Sequence, residues 1–165
     1  MIVTLFILLL SCPLFYYSEL SGYKYALLSL RSFTSMTLDI VGRIFSSVSV
    51  QNYLGWCYEN GVGVVMDKAK AVEWYTKAAE QEDADAQSKL GWCYYNGDGV
   101  VMDKAKAVEW YRKAAEQGNA YAQYNLGKRY YNGDGVVMDK AKAVEWFTKA
   151  AEQGYARAQN RLREL

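Results

Sequence analysis

The chain has 165 residues, enough for one domain with a sizeable core or for one short solenoid. With 52% hydrophobic residues and a single proline, its composition argues against disorder over most of its length. A net charge of +1 argues against a nucleic-acid-binding surface, and the lack of histidine removes the commonest general base and metal ligand.

The first 17 residues, MIVTLFILLLSCPLFYY, form an uncharged apolar segment. The run to Leu10 has the length of a signal-peptide core but is short for a membrane span, which needs about 20 residues. No Lys or Arg precedes this run, so the basic n-region of a signal peptide is missing. If the segment is an anchor, Lys24, Arg31 and Arg43 favour a cytoplasmic C-terminal side. We expect residues 1–17 to be a hydrophobic signal or anchor segment of a membrane-associated or exported protein, with a cytoplasmic location as the alternative.

Residues 18–47 match nothing else in the chain and are expected to be a linker or an N-terminal capping helix. A group of apolar residues near the end of this stretch suggests a short helix that covers the start of the domain from residue 48 onward. Its members are Leu38, Ile40, Val41, Ile44 and Phe45.

From residue 48 to residue 165 the sequence is an internal repeat with a period of 36 residues, seen in the spacing of Leu54, Leu90 and Leu126. Each unit reads LG-x-x-Y-x-NG-x-GVVMDKAKAVEW-(Y/F)-x-KAAEQ-x-x-A-x-A-Q. Periods of this size are typical of solenoids of helix pairs, because one pair cannot bury its own apolar face alone.

The first helix of each unit is predicted over residues 84–96 in the second unit, because Ala86, Leu90 and Tyr94 recur at every fourth position. This stripe is expected in the core. A glycine beside it costs about 0.8–1.0 kcal/mol in helix propensity, so we expect two helix backbones to approach there too closely for a Cβ. The same position is a glycine in every unit: Gly55, Gly91 and Gly127.

The loop NGDGVVMD, residues 96–103, supplies glycines for the positive-φ positions that end a helix and reverse the chain. Its apolar stretch, residues 100–102, is expected to pack back onto the helix pair. Asp103 is the expected N-cap of the second helix, over roughly 104–117.

The second helix hardly varies between units, and its stripe of small and aromatic residues is predicted to be buried. In the second unit the stripe is Ala107, Tyr111, Ala114 and Ala115. Gly118 and Gly154 close the second and third units, whereas the first has Glu82, a weaker stop. The invariant tryptophans of this helix are interpreted as structural: Trp74, Trp110 and Trp146.

Cys57 and Cys93 hold the same place in successive units, so they are expected about one repeat step apart, on the order of 9–10 Å. A disulfide needs Cα atoms within about 7 Å. Both thiols are therefore expected to be free.

The pattern resembles the Sel-one-like repeat family, relatives of the tetratricopeptide solenoids with a slightly longer unit. The matching motifs are LGxxY, the NGxGV loop, the Asp-x-x-Lys-Ala helix start and WYxKAA, and the resemblance covers residues 48–165. It implies an all-α, right-handed α/α solenoid of three helical hairpins plus a terminal helix, after the apolar N-terminal segment. By resemblance such proteins are adaptor scaffolds for protein complexes, and some bacterial ones act at the cell envelope.

A ligand site in the repeated loop is the first alternative. A Walker-type phosphate loop needs GxxxxGK[ST], and an EF-hand needs oxygen ligands at positions 1, 3 and 5 with glycine at 6. Counting from Asn96, positions 5 and 6 are Val100 and Val101, and Asp98 is replaced by Val62 in the first unit. We therefore give Asp98 a turn role only and expect no metal or cofactor.

An enzyme is the second alternative, since cysteine-rich relatives in this family have been discussed as β-lactamase-like or cell-wall-binding proteins. The positions of their paired cysteines are alanines here, and no SxxK motif appears. A nucleophile at Cys57 or Cys93 would lack the usual histidine base. We predict a non-catalytic protein-interaction scaffold; the alternative is an envelope protein of the same fold that binds peptidoglycan or has weak hydrolase activity.

The differences between units fall mostly on the first helix, away from its core stripe. In tetratricopeptide solenoids this helix lines the concave groove, so the same register predicts a groove that binds a partner protein or peptide and is aromatic throughout, acidic toward the first unit and basic toward the last. The predicted binding residues are Asn52, Trp56, Glu59, Asp85, Ser88, Trp92, Tyr95, Tyr121, Tyr124, Lys128, Tyr131 and Arg157. The alternative is that Trp56 and Trp92 pack against neighbouring helices. Neither Trp92 nor Tyr124 lies on the core stripe, so their truncation is expected to leave stability unchanged.

Overall fold

The structure, a computed structural model, describes residues 47–165, which form seven α-helices and no strand. The helices are α1 (Val48–Asn60), α2 (Lys68–Ala79), α3 (Ala84–Asn96), α4 (Lys104–Glu116), α5 (Ala120–Asn132), α6 (Lys140–Glu152) and α7 (Ala156–Arg163). Both predicted helices of the second unit are confirmed, the second ending one residue early. No helix within residues 47–165 is long and apolar enough to cross a bilayer. The expected signal or anchor segment and capping helix lie outside the described residues.

Three helical hairpins and a terminal helix follow one another as the repeat predicts. Unit one is α1 with α2, unit two is α3 with α4, and unit three is α5 with α6; α7 packs on α6 as the first helix of a further unit would. Successive units also pack through α2 with α3 and α4 with α5. The all-α solenoid is therefore confirmed.

The core runs through all three units and contains the predicted stripes. Leu54, Leu90 and Leu126 are fully buried, as is the predicted stripe of α4. Tyr94 differs from the prediction, because it is only half-buried and the Lys106 amine lies 4.5 Å from the centre of its ring.

The glycine beside the stripe makes room mainly for an aromatic ring rather than for the expected second backbone, and Gly127 in unit three also faces a backbone atom, the Ala143 carbonyl oxygen, 3.1 Å from its Cβ position. A Cβ on Gly91 would lie 2.7 Å from the Tyr111 ring. The same contact recurs in unit one with Tyr75, and in unit three a Cβ on Gly127 would meet the Phe147 ring. The ring on the second helix thus packs directly onto the glycine of the first helix in each hairpin.

The loops have the predicted turn chemistry. Gly97 ends α3 in the left-handed conformation at φ 74°, and its N–H donates to the carbonyl of Cys93. The Asp103 carboxylate accepts the N–H of Lys106 at 2.9 Å, which confirms the N-cap. Glu82, the weaker stop in unit one, has a positive φ of 65°.

Part of the apolar loop stretch faces solvent, contrary to expectation. Val100 is partly buried against the core, but Val101 and Met102 are 86% and 59% exposed. The N–H of Asp103 donates to the carbonyl of Tyr94 at 2.8 Å, which fixes the end of this short segment against α3. Within it only Val100 faces inward.

The loop aspartate has a role beyond the turn. The Lys68 amine lies 2.7 Å from Asp98 Oδ1 of the next unit, and the Lys104 amine lies 2.9 Å from Asp134 Oδ1 in the same way. These exposed pairs are each worth about 0–1 kcal/mol. Val62 replaces the aspartate in unit one, the first of the described units.

A ladder of glutamines also joins the units. The Gln117 amide donates to Gln87 Oε1 at 2.8 Å, and the buried Gln87 amide donates to the carbonyl of Ala79 at 3.2 Å. The same two bonds recur one unit later through Gln153 and Gln123. Because these side chains satisfy one another's polar groups, burying them carries little penalty.

Candidate functional site

A cleft of about 740 Å³ lies on the face formed mainly by α1 and α3. Seven of the twelve predicted binding residues line it: Asn52, Trp56, Glu59, Asp85, Ser88, Trp92 and Tyr121. Five further lining residues were missed by the sequence: Ser49, Tyr53, Asp83, Lys89 and Asn119. The first helices of two units and the start of the third therefore build one concave site.

The aromatic side of the cleft is built around an accessible tryptophan. Trp56 is 38% exposed, and its ring stacks on that of Tyr53 with centroids 5.5 Å apart. Trp92 is half-buried and packs against the core of the solenoid while it also lines the cleft. Trp92 therefore packs against neighbouring helices and still borders the cleft, and this packing opposes the expectation that its truncation leaves stability unchanged.

Glu59 and Lys89, which both line the cleft, form an ion pair with each other. The Lys89 amine lies 2.9 Å from Glu59 Oε2, and the Tyr75 hydroxyl donates to the same oxygen at 2.6 Å. The charge of Glu59 is thus balanced by Lys89.

Two aspartates of the cleft are held by neutral partners. Asp83 caps α3 by accepting the N–H of Ala86 at 2.7 Å, and it also accepts the Asn52 amide at 2.9 Å. Asp85 accepts the Asn119 amide at 2.8 Å. Burial raises the pKa of the Asp83 carboxyl, and the nearby charge of Asp85 raises it further. Within residues 47–165 neither aspartate has a Lys or Arg partner, so the cleft carries net negative charge.

Five predicted binding residues do not line the cleft: Tyr95, Tyr124, Lys128, Tyr131 and Arg157. The Tyr124 ring packs against Phe147 and Tyr155, with centroids 5.6 and 5.3 Å away. This packing opposes the expectation that truncating Tyr124 leaves stability unchanged.

Tyr95 and Tyr131 make contacts to later parts of the chain. The Tyr95 hydroxyl donates to Asp134 Oδ2 at 3.2 Å, and its ring centre lies 3.7 Å from the guanidinium of Arg129. The ring centre of Tyr131 lies 4.6 Å from the guanidinium of Arg161. Both rings therefore help to hold successive helices together.

The C-terminal part of the same register is cationic. Lys128 occupies the position that Trp56 and Trp92 hold in the earlier units. Burial lowers the pKa of the Lys128 amine, and the positive charges of Arg129, Arg157 and Arg161 lower it further. Each of the three arginines therefore lies close enough to Lys128 to repel its ammonium group.

The missed cleft residues carried a partial signal in the sequence. Tyr53 and Lys89 share one repeat position, at which the units differ, and they lie one helical turn from the predicted residues. Asp83 and Asn119 precede their helices as N-caps, so the helical face does not include them. A face that includes the N-cap position contains both residues.

The cysteines contribute no reactive group to the cleft. Cys57 and Cys93 are buried free thiols, as predicted. Burial raises the pKa of Cys57 to about 11 and that of Cys93 to about 12. Among residues 47–165 no three Cys, Asp or Glu side chains are grouped to hold a metal ion.

Comparison with known proteins identifies the repeat. The Sel1 repeat model matches residues 48–83, 84–119 and 120–155. A protective antigen of uropathogenic Escherichia coli strains with an SLR fold is 47% identical, with a TM-score of 0.69, over 70% of this chain and 25% of that one. A Sel1 repeat protein from Oxalobacter formigenes is 41% identical, with a TM-score of 0.67, over 68% of this chain and 45% of that one.

A third similar structure is the cysteine rich protein B of Helicobacter pylori, which is 33% identical with a TM-score of 0.54 over 56% of this chain and 70% of that one. The chain spans a quarter and just under half of the length of the first two structures. Among curated protein sequences no match is found. Sel1 repeats are generally protein–protein interaction modules, and the three matched units show that this chain belongs to the Sel1 repeat family.

Proposed function

We propose that this chain is a non-catalytic scaffold that binds a partner protein or peptide in the cleft between units one and two. The observation that carries the proposal is that seven residues at predicted binding positions of the repeat meet in one cleft of about 740 Å³. Helix α4 and its equivalents, which pack the core, hardly differ between units. Variation on one concave face over a constant core is the pattern of a repeat protein adapted to a partner.

The chemistry of the cleft supports binding. Tryptophan and tyrosine are enriched among the residues that contribute most to protein interfaces, and Trp56 presents a large accessible surface in the cleft. Its stacking on Tyr53 holds the ring in place before a partner arrives, which lowers the entropic cost of binding.

A purely binding role is supported by the state of the two thiols. Cys57 and Cys93 do not line the cleft, and their raised pKa values keep them protonated near neutral pH. A protonated thiol is a poor nucleophile. The chain also has no histidine to activate one.

Site-specific photocrosslinking of the full chain tests the proposal. A photoreactive amino acid replaces Ser49, an exposed residue of the cleft, or, as the matched control, Glu109, an exposed residue of α4 outside it. We expect one protein to crosslink from position 49 and not from position 109, and an excess of the purified partner to compete it away. Equal crosslinking from both positions would refute the cleft as the binding site.

We also propose that the chain associates with membranes through residues 1–17, with a cytoplasmic location as the alternative. The uncharged apolar composition of this segment supports the proposal. The full chain is expected to float with phosphatidylcholine vesicles in a density gradient, whereas the double variant Leu8→Asp, Leu10→Asp is expected to stay at the bottom. Equal flotation of the two proteins would contradict it.

A further inference from the structure

The charges along the binding face are not uniform, and this restricts the partner. In the cleft, Glu59 is neutralised by Lys89, while Asp83 and Asp85 accept hydrogen bonds only from side-chain and backbone amides. The cleft therefore presents negative charge without a counterion from residues 47–165. A partner group that carries positive charge would gain from both carboxylates.

The aromatic rings favour the same kind of group. Trp56 and Trp92 line the cleft together with the two aspartates. The face of a tryptophan attracts a guanidinium or an ammonium ion, at about 0.5–1 kcal/mol when exposed and about 2 kcal/mol when desolvated. Arginine combines a planar stack on such a ring with hydrogen bonds to a carboxylate.

The rest of the face directs a cation toward the cleft. At the register of Trp56 and Trp92, unit three has Lys128, and at the register of Asp85 the terminal helix has Arg157. Burial lowers the pKa of the Lys128 amine, and the positive charges of Arg129, Arg157 and Arg161 each lower it further. A basic side chain is attracted to one end of the face and repelled from the other.

On these grounds we infer that the partner inserts an arginine or lysine side chain into the cleft that Asp83, Asp85, Trp56 and Trp92 line. The inference rests on the proposed function and adds the chemistry of the partner. A cleft of about 740 Å³ is larger than one side chain, so the basic residue belongs to a peptide segment that fills it.

Titration of the full chain with short peptides tests this inference. The probes are three acetylated and amidated peptides, Gly-Arg-Gly-Arg-Gly, Gly-Gln-Gly-Gln-Gly and Gly-Glu-Gly-Glu-Gly. The chain has five tryptophans, and their indole N–H signals in NMR spectra report separate places in the structure. We expect the arginine peptide to shift the signals of Trp56 and Trp92 and to leave those of Trp74, Trp110 and Trp146 unchanged. The other two peptides are expected to bind at least about tenfold more weakly.

Two isosteric variants, one inside the cleft and one outside it as the control, test whether a charge in the cleft matters. Asp85→Asn keeps the shape of the cleft and is expected to weaken the arginine peptide about two- to fivefold, since Asp85 is exposed. Glu109→Gln removes one negative charge outside the cleft and is expected to change nothing. Loss of affinity in both variants alike would mean that only net charge matters, and it would overturn the inference.

Two further outcomes would also overturn the inference. One is that the indole N–H signals of Trp56 and Trp92 do not shift with the arginine peptide at about 10 mM, and the other is that the glutamate peptide shifts them equally. Neither outcome affects the proposed function, because the crosslinking from position 49 does not depend on the charge of the partner. Conversely, failure of that crosslinking removes the cleft as a binding site whatever the peptides do.

Discussion

Residues at equivalent repeat positions have different structural roles in different units. The position of Cys57 and Cys93 on the first helix becomes Arg129 in unit three, where the guanidinium packs on the ring of Tyr95 and lies 3.5 Å from Asp134. The two cysteines instead fill the core as small apolar side chains, which is how buried free cysteines generally behave.

The burial of these thiols predicts low reactivity. With pKa values of about 11 and about 12, Cys57 and Cys93 have very little thiolate at pH 8. In a Cys12→Ser variant, iodoacetamide at pH 8 is expected to label the native protein at least about 100-fold more slowly than the protein unfolded in urea. Mass spectrometry after timed quenching measures both rates. Native labelling within about tenfold of the unfolded rate would contradict the burial of the thiols.

At the scale of secondary-structure elements, the loop of one unit packs against the second helix of the unit before it. A Cβ on Gly99 would collide with the backbone carbonyl of Lys68, at the start of α2. The equivalent Gly63 has nearly the same φ, 75° against 72°, and no atom within 4 Å of its Cβ position among the described residues. The same loop therefore bears a packing constraint in unit two that it lacks in unit one.

The pair Gly63→Ala and Gly99→Ala separates these two effects. Gly63→Ala is expected to cost about 1–2 kcal/mol, because alanine is strained at positive φ. Gly99→Ala is expected to cost about 1–3 kcal/mol more, because the added Cβ also forces two units apart. Urea denaturation of both variants gives the free energies of unfolding. Equal losses would show that the loops do not join the units as described.

The elements were predictable from the sequence because their causes are local. The four-residue spacing of Ala86 and Leu90 and the N-cap at Asp103 both act within one unit. The burial of the two residues and the N-cap are confirmed. The ion pair of Asp98 and the exposure of Val101 were not predictable in this way. Asp98 reaches a lysine 30 residues earlier, and the exposure of Val101 depends on how the loop lies against α3.

At the scale of the whole molecule, stacking decides which residues of the predicted face remain available. The register of the first helix placed Trp56, Asp85 and Tyr121 together correctly. It could not show that Tyr124 packs against Phe147, because that contact needs the geometry of the whole third hairpin. The repeat register therefore predicts the face, and the packing of units selects the part that forms a cleft.

Binding of a partner in the cleft between units one and two is tested more cleanly at Trp56 than at Trp92, because Trp56 is more exposed. The measurement is titration calorimetry of the crosslinked partner, once purified, with the full chain and its Trp56→Ala variant. Met102→Ala, which shortens a side chain that is 59% exposed outside the cleft, is the control. We expect Trp56→Ala to weaken binding by more than about 1 kcal/mol, roughly fivefold, and Met102→Ala to leave it unchanged, with both variants folded in thermal melts. Wild-type affinity in a folded Trp56→Ala variant would contradict binding in this cleft.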